Sequence, residues 1–274
     1  MKDFSEKKKR KAAKKERKKK ARTFNIKTFL KKCGSVALTL AVIIALSAGL
    51  HYSWLFLSTA DYFAISEVFI EGNDKINRNT LLRAAGLNKK RNIFTFDLAN
   101  AGKKLEALPW MKAVKLERQF PHSLKIIVLE RAPVAMINLE GFYYVDNEGY
   151  IFAEADYKSG WDYPVMRGIK KERLLEGDKK SFESISRGLE FLSLLKERRG
   201  TVSLKNLSEL VLEEDGGLTV YAVGVGIPLH LGGEGFESRL VRAEKVLADL
   251  GRKGIKAKEI AADFDDRVFV KVAI

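Results

Sequence analysis

The sequence predicts an α+β protein that crosses a membrane once near its N-terminus and carries two folded domains after the crossing. A run of 22 mostly apolar residues separates a highly basic tail from the rest of the chain. Residues 62–131 then have the pattern of a small β-α-α-β-β domain. The residues after them contain short strand-like segments punctuated by glycine, together with two stretches of helical periodicity.

Residues 1–35 are predicted to form a disordered basic tail. Residues 1–32 contain 16 of the 50 Lys and Arg residues and 3 of the 35 Asp and Glu residues, a net charge of +13. A segment with so few large apolar side chains cannot bury enough surface to offset the entropy lost on ordering. The rest of the chain holds 34 basic and 32 acidic residues and is nearly neutral. A nucleic-acid-binding domain would carry positive charge on its folded part, so nucleic acid is not predicted as a partner.

Val36–Leu57 is predicted to be a transmembrane helix. At about 1.5 Å per residue, this length covers a hydrocarbon core of roughly 30 Å. No charged residue occurs between Lys32 and Asp61, and Tyr52 and Trp54 lie near one end, as in an aromatic belt. The apolar run and the tail are longer than those of a signal peptide, which favours an uncleaved anchor. The positive-inside rule places the tail in the cytoplasm and the bulk of the chain outside.

The first folded domain is predicted over residues 62–131. Its opening strand ends at the turn pair Gly72-Asn73. Asn77 or Asn79 is expected to cap a short helix, and Asp97 a second one. Two alternating segments follow as strands, which are residues 111–118 and 124–128.

The second folded domain is predicted over residues 132–274 as a mixed, β-rich fold with two helices. Apolar residues at helical spacing indicate these helices in residues 182–195 and 236–250. Alternating segments between turn residues predict the strands, which are residues 134–138, 142–145, 150–152, 207–213, 218–223, 227–231, 258–264 and 267–272.

The sequence contains no recognisable catalytic, cofactor-binding or metal-binding motif. Its three histidines lie in the predicted span, in a turn and in a strand, without a GxSxG, HExxH or paired-cysteine pattern. The segment 146–149 (D-N-E-G) resembles part of a calcium loop but lacks the ligand spacing of that loop, so a hairpin turn is favoured. We therefore predict that the protein is not an enzyme, has no cofactor and takes no small-molecule substrate.

A candidate site for a protein partner lies in the last predicted strand. A strand at the edge of a sheet has unpaired backbone groups and is a template for strand addition by another chain. The candidate partner-binding residues are Arg267, Val268, Phe269, Val270, Lys271 and Val272. The same alternation also fits an ordinary closing strand with one buried face, and periodicity alone leaves both interpretations open.

Two sets of short motifs lie along the predicted domains. The first set comprises Val68-x-Ile70-x-Gly72-Asn73, Asn92-Ile93-Phe94, Leu108-Pro109-Trp110-Met111, Arg118 and Glu130-Arg131-x-Pro133. The second comprises Val145-Asp146-x-x-Gly149, Pro164-Val165 with Gly168, and Asp266-Arg267-Val268-x-Val270. With the basic tail and the single span, these motifs resemble the FtsQ/DivIB family of bacterial cell-division proteins, whose first outer domain is a POTRA domain. The chain departs from the family at residues 260–264, which are I-A-A-D-F where many members have I-D-x-R-F.

The resemblance implies a non-enzymatic scaffold of the divisome in the cytoplasmic (inner) membrane at the septum. Members of this family recruit and hold the small coiled-coil membrane proteins FtsB and FtsL. They thereby link early division proteins to the septal peptidoglycan synthases FtsW and FtsI. The family's FtsB-docking edge maps to Val268–Val272 here, with Phe269 and Lys271 as candidates for selectivity.

Three other functions have different expectations. A POTRA-bearing component of protein export or outer-membrane assembly would continue into a transmembrane β-barrel, and the two predicted helices after Arg131 weigh against it. A membrane-anchored enzyme would need convergent polar groups in a pocket. A nucleic-acid-binding protein would need a basic folded part, which the near-neutral residues 61–274 do not supply.

Overall fold

The computed structural model describes residues 26–87, 89–156, 163–264 and 267–273. Its first element is helix α1, Ile26–Thr59, followed by a short 3-10 helix, Asp61–Phe63. Phe29–Thr59 is long and apolar enough to cross a membrane. The helix begins ten residues before the predicted start at Val36, because Lys, Leu and Phe in residues 27–35 are compatible with a helix. The predicted disorder of residues 1–25 lies outside the described part of the chain.

The described chain divides into two compact units. The helix unit contains α1, the residues that follow it up to Glu67, and the segments 90–96 and 118–124. The sheet unit contains the described residues of 68–89, 97–117 and 125–274.

A three-stranded sheet with two short helices has the predicted β-α-α-β-β order. Strand β3 lies between β1 and β2. The Asn77 side chain accepts a hydrogen bond from the Asn79 backbone, and the Asp97 side chain accepts one from the Asn100 backbone, which confirms both predicted caps. The elements are β1 (Glu67–Glu71), α2 (Arg78–Ala84), α3 (Leu98–Glu106), β2 (Met111–Gln119) and β3 (Ser123–Glu130).

The rest of the sheet unit is built on a nine-stranded mixed sheet. Its spatial order is β12-β11-β10-β9-β8-β7-β4-β5-β6. The pairs β4–β7, β7–β8 and β10–β11 are parallel, and the other neighbours are antiparallel. The strands are β4 (Pro133–Asn138), β5 (Phe142–Asp146), β6 (Ile151–Glu154), β7 (Val165–Arg167), β8 (Leu207–Leu212), β9 (Leu218–Ala222), β10 (Leu229–Gly232), β11 (Ala257–Ala261) and β12 (Phe269–Val272).

Two long helices pack on this sheet and complete one hydrophobic core. Helix α5 (Lys179–Glu197) contacts β8, and helix α6 (Phe236–Lys253) contacts β10 and β11. The rings of Phe191 and Phe236 join the helices at a centroid distance of 5.8 Å. Both helices were predicted, whereas the five-residue helix α4 (Lys171–Leu175) and the three-residue strand β7 were not.

Two motif glycines are required by close backbone contacts. Gly72 has a φ of +83°, and a Cβ there would lie 2.2 Å from the carbonyl oxygen of Val128. Gly168 has a φ of +105°, and a Cβ there would lie 2.2 Å from the carbonyl oxygen of Leu212. Any other L-residue would meet both a steric clash and an unfavourable dihedral at these positions, which accounts for glycine in the two motifs.

Candidate functional site at the C-terminal edge

The candidate site is the strand at one end of the nine-stranded sheet. Strand β12 pairs antiparallel with β11, in the register Glu259↔Lys271, Ile260↔Val270 and Ala261↔Phe269. Among the described residues β11 is its one strand neighbour, so the opposite side of β12 is an outer edge of the sheet. A free strand edge carries a row of backbone donors and acceptors that a second extended chain can use.

The six predicted site residues occupy this edge with alternating burial. Val268 and Val270 are half-buried and pack against the core of the sheet unit. Phe269 and Val272 are 52% and 48% exposed. Lys271 and Arg267 are also exposed. The sequence predicted a strand over residues 267–272, but the strand begins at Phe269. Arg267 and Val268 therefore precede the strand.

Two contacts define the outward face of the edge. The Lys271 Nζ lies 3.2 Å from Oε1 of Glu259 on the neighbouring strand. The ring of Phe269 meets that of Phe264 edge-to-face at a centroid distance of 4.9 Å. Phe264 is itself 51% exposed, so the two rings form a small apolar surface beside the free backbone. Phe264 and Glu259 were predicted only as part of the preceding strand and not as site residues, although pairing of alternating residues across two strands could have suggested both.

A second group of residues, which includes Trp110, Arg131 and Asp146 of the motifs, lies where β3 is followed by β4. We call this group the domain junction. It comprises Trp110, Arg131, Tyr144, Asp146, Tyr150, Phe152 and Tyr163. The Trp110 ring lies 5.4 Å from Tyr144 and 5.1 Å from Phe152, centroid to centroid. Burial raises the pKa of the Tyr163 phenol, and the nearby Tyr144 adds to this effect. The contacts of the Trp110 ring with Tyr144 and Phe152 explain the tryptophan of the Leu-Pro-Trp motif by packing.

A buried ion pair lies at the centre of the junction. Asp146 is 1% exposed, and its carboxylate accepts a hydrogen bond of 2.6 Å from Arg131 Nη1. It also accepts bonds of 2.9 Å from the backbone N–H groups of Glu148 and Tyr150, so the predicted hairpin turn is confirmed. The Arg131 guanidinium stacks 3.8 Å from the Tyr150 ring centroid. The Glu-Arg-x-Pro and Val-Asp-x-x-Gly motifs therefore supply the two halves of one structural contact.

The histidine in the nine-stranded sheet has a structural partner. His230 Nδ1 lies 2.7 Å from the hydroxyl of Thr219 on the neighbouring strand β9, and Thr219 is 2% exposed. Both residues line an open groove of about 560 Å³, whose rim carries the acidic residues Glu213, Glu214, Asp215 and Asp263. In the part of the chain that the structure describes, no group of three or more His, Cys, Asp or Glu residues is arranged to hold a metal ion.

Both folded segments of the chain match models of one protein family. The fold and the free edge define the chain as an α+β protein with one apolar N-terminal helix, a POTRA-type domain and a β-rich domain. Residues 63–131 match the family model "POTRA domain, FtsQ-type", and residues 135–265 match "Cell division protein FtsQ/DivIB, C-terminal". The chain belongs to the FtsQ/DivIB family.

Curated relatives support the same assignment over most of the chain. "Cell division protein FtsQ" of Syntrophotalea carbinolica is 30% identical over 240 residues, covering 87% of this chain and 84% of that protein. The protein of the same name from Geotalea daltonii is 26% identical over 274 residues, covering 99% of both chains. These matches give the chain a role in bacterial cell division, and the one helix of membrane-spanning length among the described residues fits a single-pass membrane protein.

Proposed function

We propose that this chain is a non-enzymatic scaffold of the division machinery that recruits FtsB and FtsL by strand addition at β12. Through them it would connect early division proteins to the septal synthases FtsW and FtsI. The observation that carries the proposal is the position of β12 at an outer edge of the sheet, with β11 as its one strand neighbour among the described residues.

The mechanism assigns different roles to the backbone and the side chains. Added main-chain hydrogen bonds supply affinity that is largely independent of sequence, and alternate side chains supply selectivity. Val270 is partly buried and holds β12 against the core. Phe269 and Lys271 point to the exposed face, where an incoming strand would place its own alternate side chains beside them.

A pair of proline variants tests the proposal on the full-length chain in lipid nanodiscs. Capture of the extracytoplasmic segments of FtsB and FtsL from the same genome is measured for Val270→Pro and Lys271→Pro. The Ala273 N–H donates to the Lys256 carbonyl, so by alternation the N–H of Lys271 points toward β11 and that of Val270 points to the free edge. Val270→Pro therefore removes a donor from the free edge, whereas Lys271→Pro removes one from the pairing with β11. We expect the free-edge variant to lose capture while its unfolding temperature stays near that of the wild type.

The second proline variant serves as the matched control. It should weaken the β11–β12 pairing and lower the unfolding temperature. If both variants fold and capture the partner segments as the wild type does, strand addition at β12 is wrong and the binding surface lies elsewhere.

We also propose that the basic tail is cytoplasmic and that residues 61–274 lie on the opposite side of the membrane. The distribution of charge around α1 supports this orientation. The chain has one cysteine, Cys33, which a membrane-impermeant maleimide should label after permeabilisation but not in intact spheroplasts. A Cys33→Ser, Leu175→Cys variant should show the opposite behaviour, and labelling of Cys33 in intact spheroplasts would reverse the orientation.

A further inference from the structure

A row of aromatic rings lies just after the C-terminal end of α1. Tyr62 and Phe63 belong to the 3-10 helix, and their ring centroids are 5.1 Å apart. Phe63 is 5.0 Å from Phe94, and Phe94 is 5.2 Å from Phe120. Tyr62 and Phe120, at the two ends of the row, are 67% and 61% exposed. Single exposed apolar residues are common on proteins, but four rings in contact form a continuous apolar surface.

The segment that carries Phe94 is fixed in place by polar contacts. Arg118 donates hydrogen bonds of 2.7 Å and 2.8 Å to the carbonyl groups of Ile93 and Phe96. The backbone N–H of Ile93 donates to the carbonyl of Phe63, and the N–H of Ile65 donates to the carbonyl of Arg91. These hydrogen bonds fix the backbone that carries Phe63 and Phe94, so the fold of the helix unit holds the two rings in contact.

The same segment is attached to the end of the candidate span. The Asn92 side-chain amide donates a 2.8 Å hydrogen bond to the carbonyl of Leu57 in the last turn of α1. Thr59 is the last residue of the span, and Tyr62 follows three residues later. The polar headgroup region adds only about 5–7 Å to each side of the hydrocarbon core. If α1 spans the bilayer, the aromatic row thus lies within or next to the headgroup layer.

We infer that Tyr62, Phe94 and Phe120 form an interfacial seat that rests in the headgroup layer of the bilayer that holds α1. Tyr favours this layer because its ring is apolar while its hydroxyl can bond to water or headgroups. The Phe rings would bury toward the boundary between the headgroups and the acyl chains. The exposed Lys90 and Arg91 precede the Asn92 contact and can reach lipid phosphates from the same segment. The inference rests on insertion of α1 but not on strand addition at β12.

Depth measurements by spin labelling test the seat on the full-length chain in nanodiscs. A nitroxide is attached at Gln119→Cys, next to Phe120, in a Cys33→Ser background. Collision rates with oxygen, which concentrates in lipid, and with a water-soluble nickel chelate give the depth of the label. We expect the Gln119 label to report the headgroup layer, and we expect this signal to shift to that of water when Tyr62→Ser and Phe120→Ser are combined.

Two controls separate the possible reasons for failure. A label at Gly49→Cys, within α1, reports whether the helix is in the bilayer; if that label is in water, insertion itself fails and the seat fails with it. Leu175→Ser removes an apolar side chain of the sheet unit that is even more exposed, at 79%, and should leave the Gln119 signal unchanged. A Gln119 label in water while the Gly49 label is in lipid overturns the seat alone. Spin–spin broadening that disappears on dilution with unlabelled protein would assign the row to self-association instead.

Discussion

The domain junction and the C-terminal edge are built in opposite ways. At the junction, Asp146 is 1% exposed and Tyr144 is 3% exposed, and the carboxylate has three hydrogen-bond donors around it. At the edge, Phe269 and Val272 are about half exposed, and the ion pair of Lys271 with Glu259 lies on the surface. The junction is specified by side chains, whereas the edge offers mainly backbone.

This difference explains why most of the motifs lie away from the proposed binding site, which only the motif Asp266-Arg267-Val268-x-Val270 overlaps. Trp110 packs its ring against Tyr144 and Phe152, and Arg131 neutralises the buried Asp146 carboxylate, so these positions depend on the identity of the side chain. A strand that binds through its main chain needs only alternation and an open side. Residues that identify the family are thus informative mainly about the fold, while the proposed binding edge is recognisable mainly from topology.

The largest effect is expected from Arg131→Ala, which leaves the buried Asp146 carboxylate without its cation. Removing one partner of a buried ion pair costs about 3–5 kcal/mol of unfolding free energy. Equilibrium urea unfolding of the full-length chain in detergent would measure the loss. Lys112→Ala is the matched control, because it removes a neighbouring but more exposed pair with Glu148 and should cost less than about 1 kcal/mol. Equal losses in the two variants would show that burial does not make the Arg131–Asp146 pair more important for stability than an exposed pair nearby.

A smaller effect on stability, but a large one on binding, is expected from Phe269→Ser. The side chain is already half exposed, so the unfolding free energy should change by no more than about 0.5 kcal/mol. Capture of the FtsB segment should fall, because the Phe264–Phe269 surface beside the edge is lost. Phe182→Ser removes a side chain of similar exposure, 48%, from α5 and should leave capture intact. Normal capture by the Phe269 variant would exclude this ring from the interface.

The smallest effect is expected from Tyr163→Phe and appears at alkaline pH. Because burial raises the pKa of Tyr163 in the folded state, folding disfavours its ionisation. The stabilising contribution is present below the unfolded pKa of about 10 and is lost as the pH rises through the folded value. Thermal unfolding at several alkaline pH values should therefore show the wild type losing stability relative to the variant. Parallel pH profiles would show that burial of this phenol does not contribute.

Local signals in the sequence predicted those parts of the fold that depend on neighbouring residues. The caps at Asn77 and Asp97 and the two long helices follow from short-range patterns, and all are present. Strand β7 was missed because three residues are too few to show alternation, and its position depends on parallel pairing with β4 and β8. Whether such a short strand forms, and where, is determined by contacts between residues that are far apart in the chain.

The candidate site shows the same division between local and non-local information. The alternation of residues 267–272 predicted a strand, but not which strand would lie beside it. The contacts of Phe269 with Phe264 and of Lys271 with Glu259 depend on the register between β11 and β12, which the sequence does not state. The ion pair of Arg131 with Asp146 likewise joins two motifs that were recognised separately.

The parallel pairing of β10 with β11 has a consequence for the order of folding. Parallel neighbours require a crossover connection, and here that crossover is α6. In the native fold α6 connects β10 to β11, and β12 has β11 as its one strand neighbour among the described residues. Non-local pairings of this kind form slowly. We therefore expect the edge to appear late in folding, so that the proposed strand addition becomes possible only when this half of the core is complete.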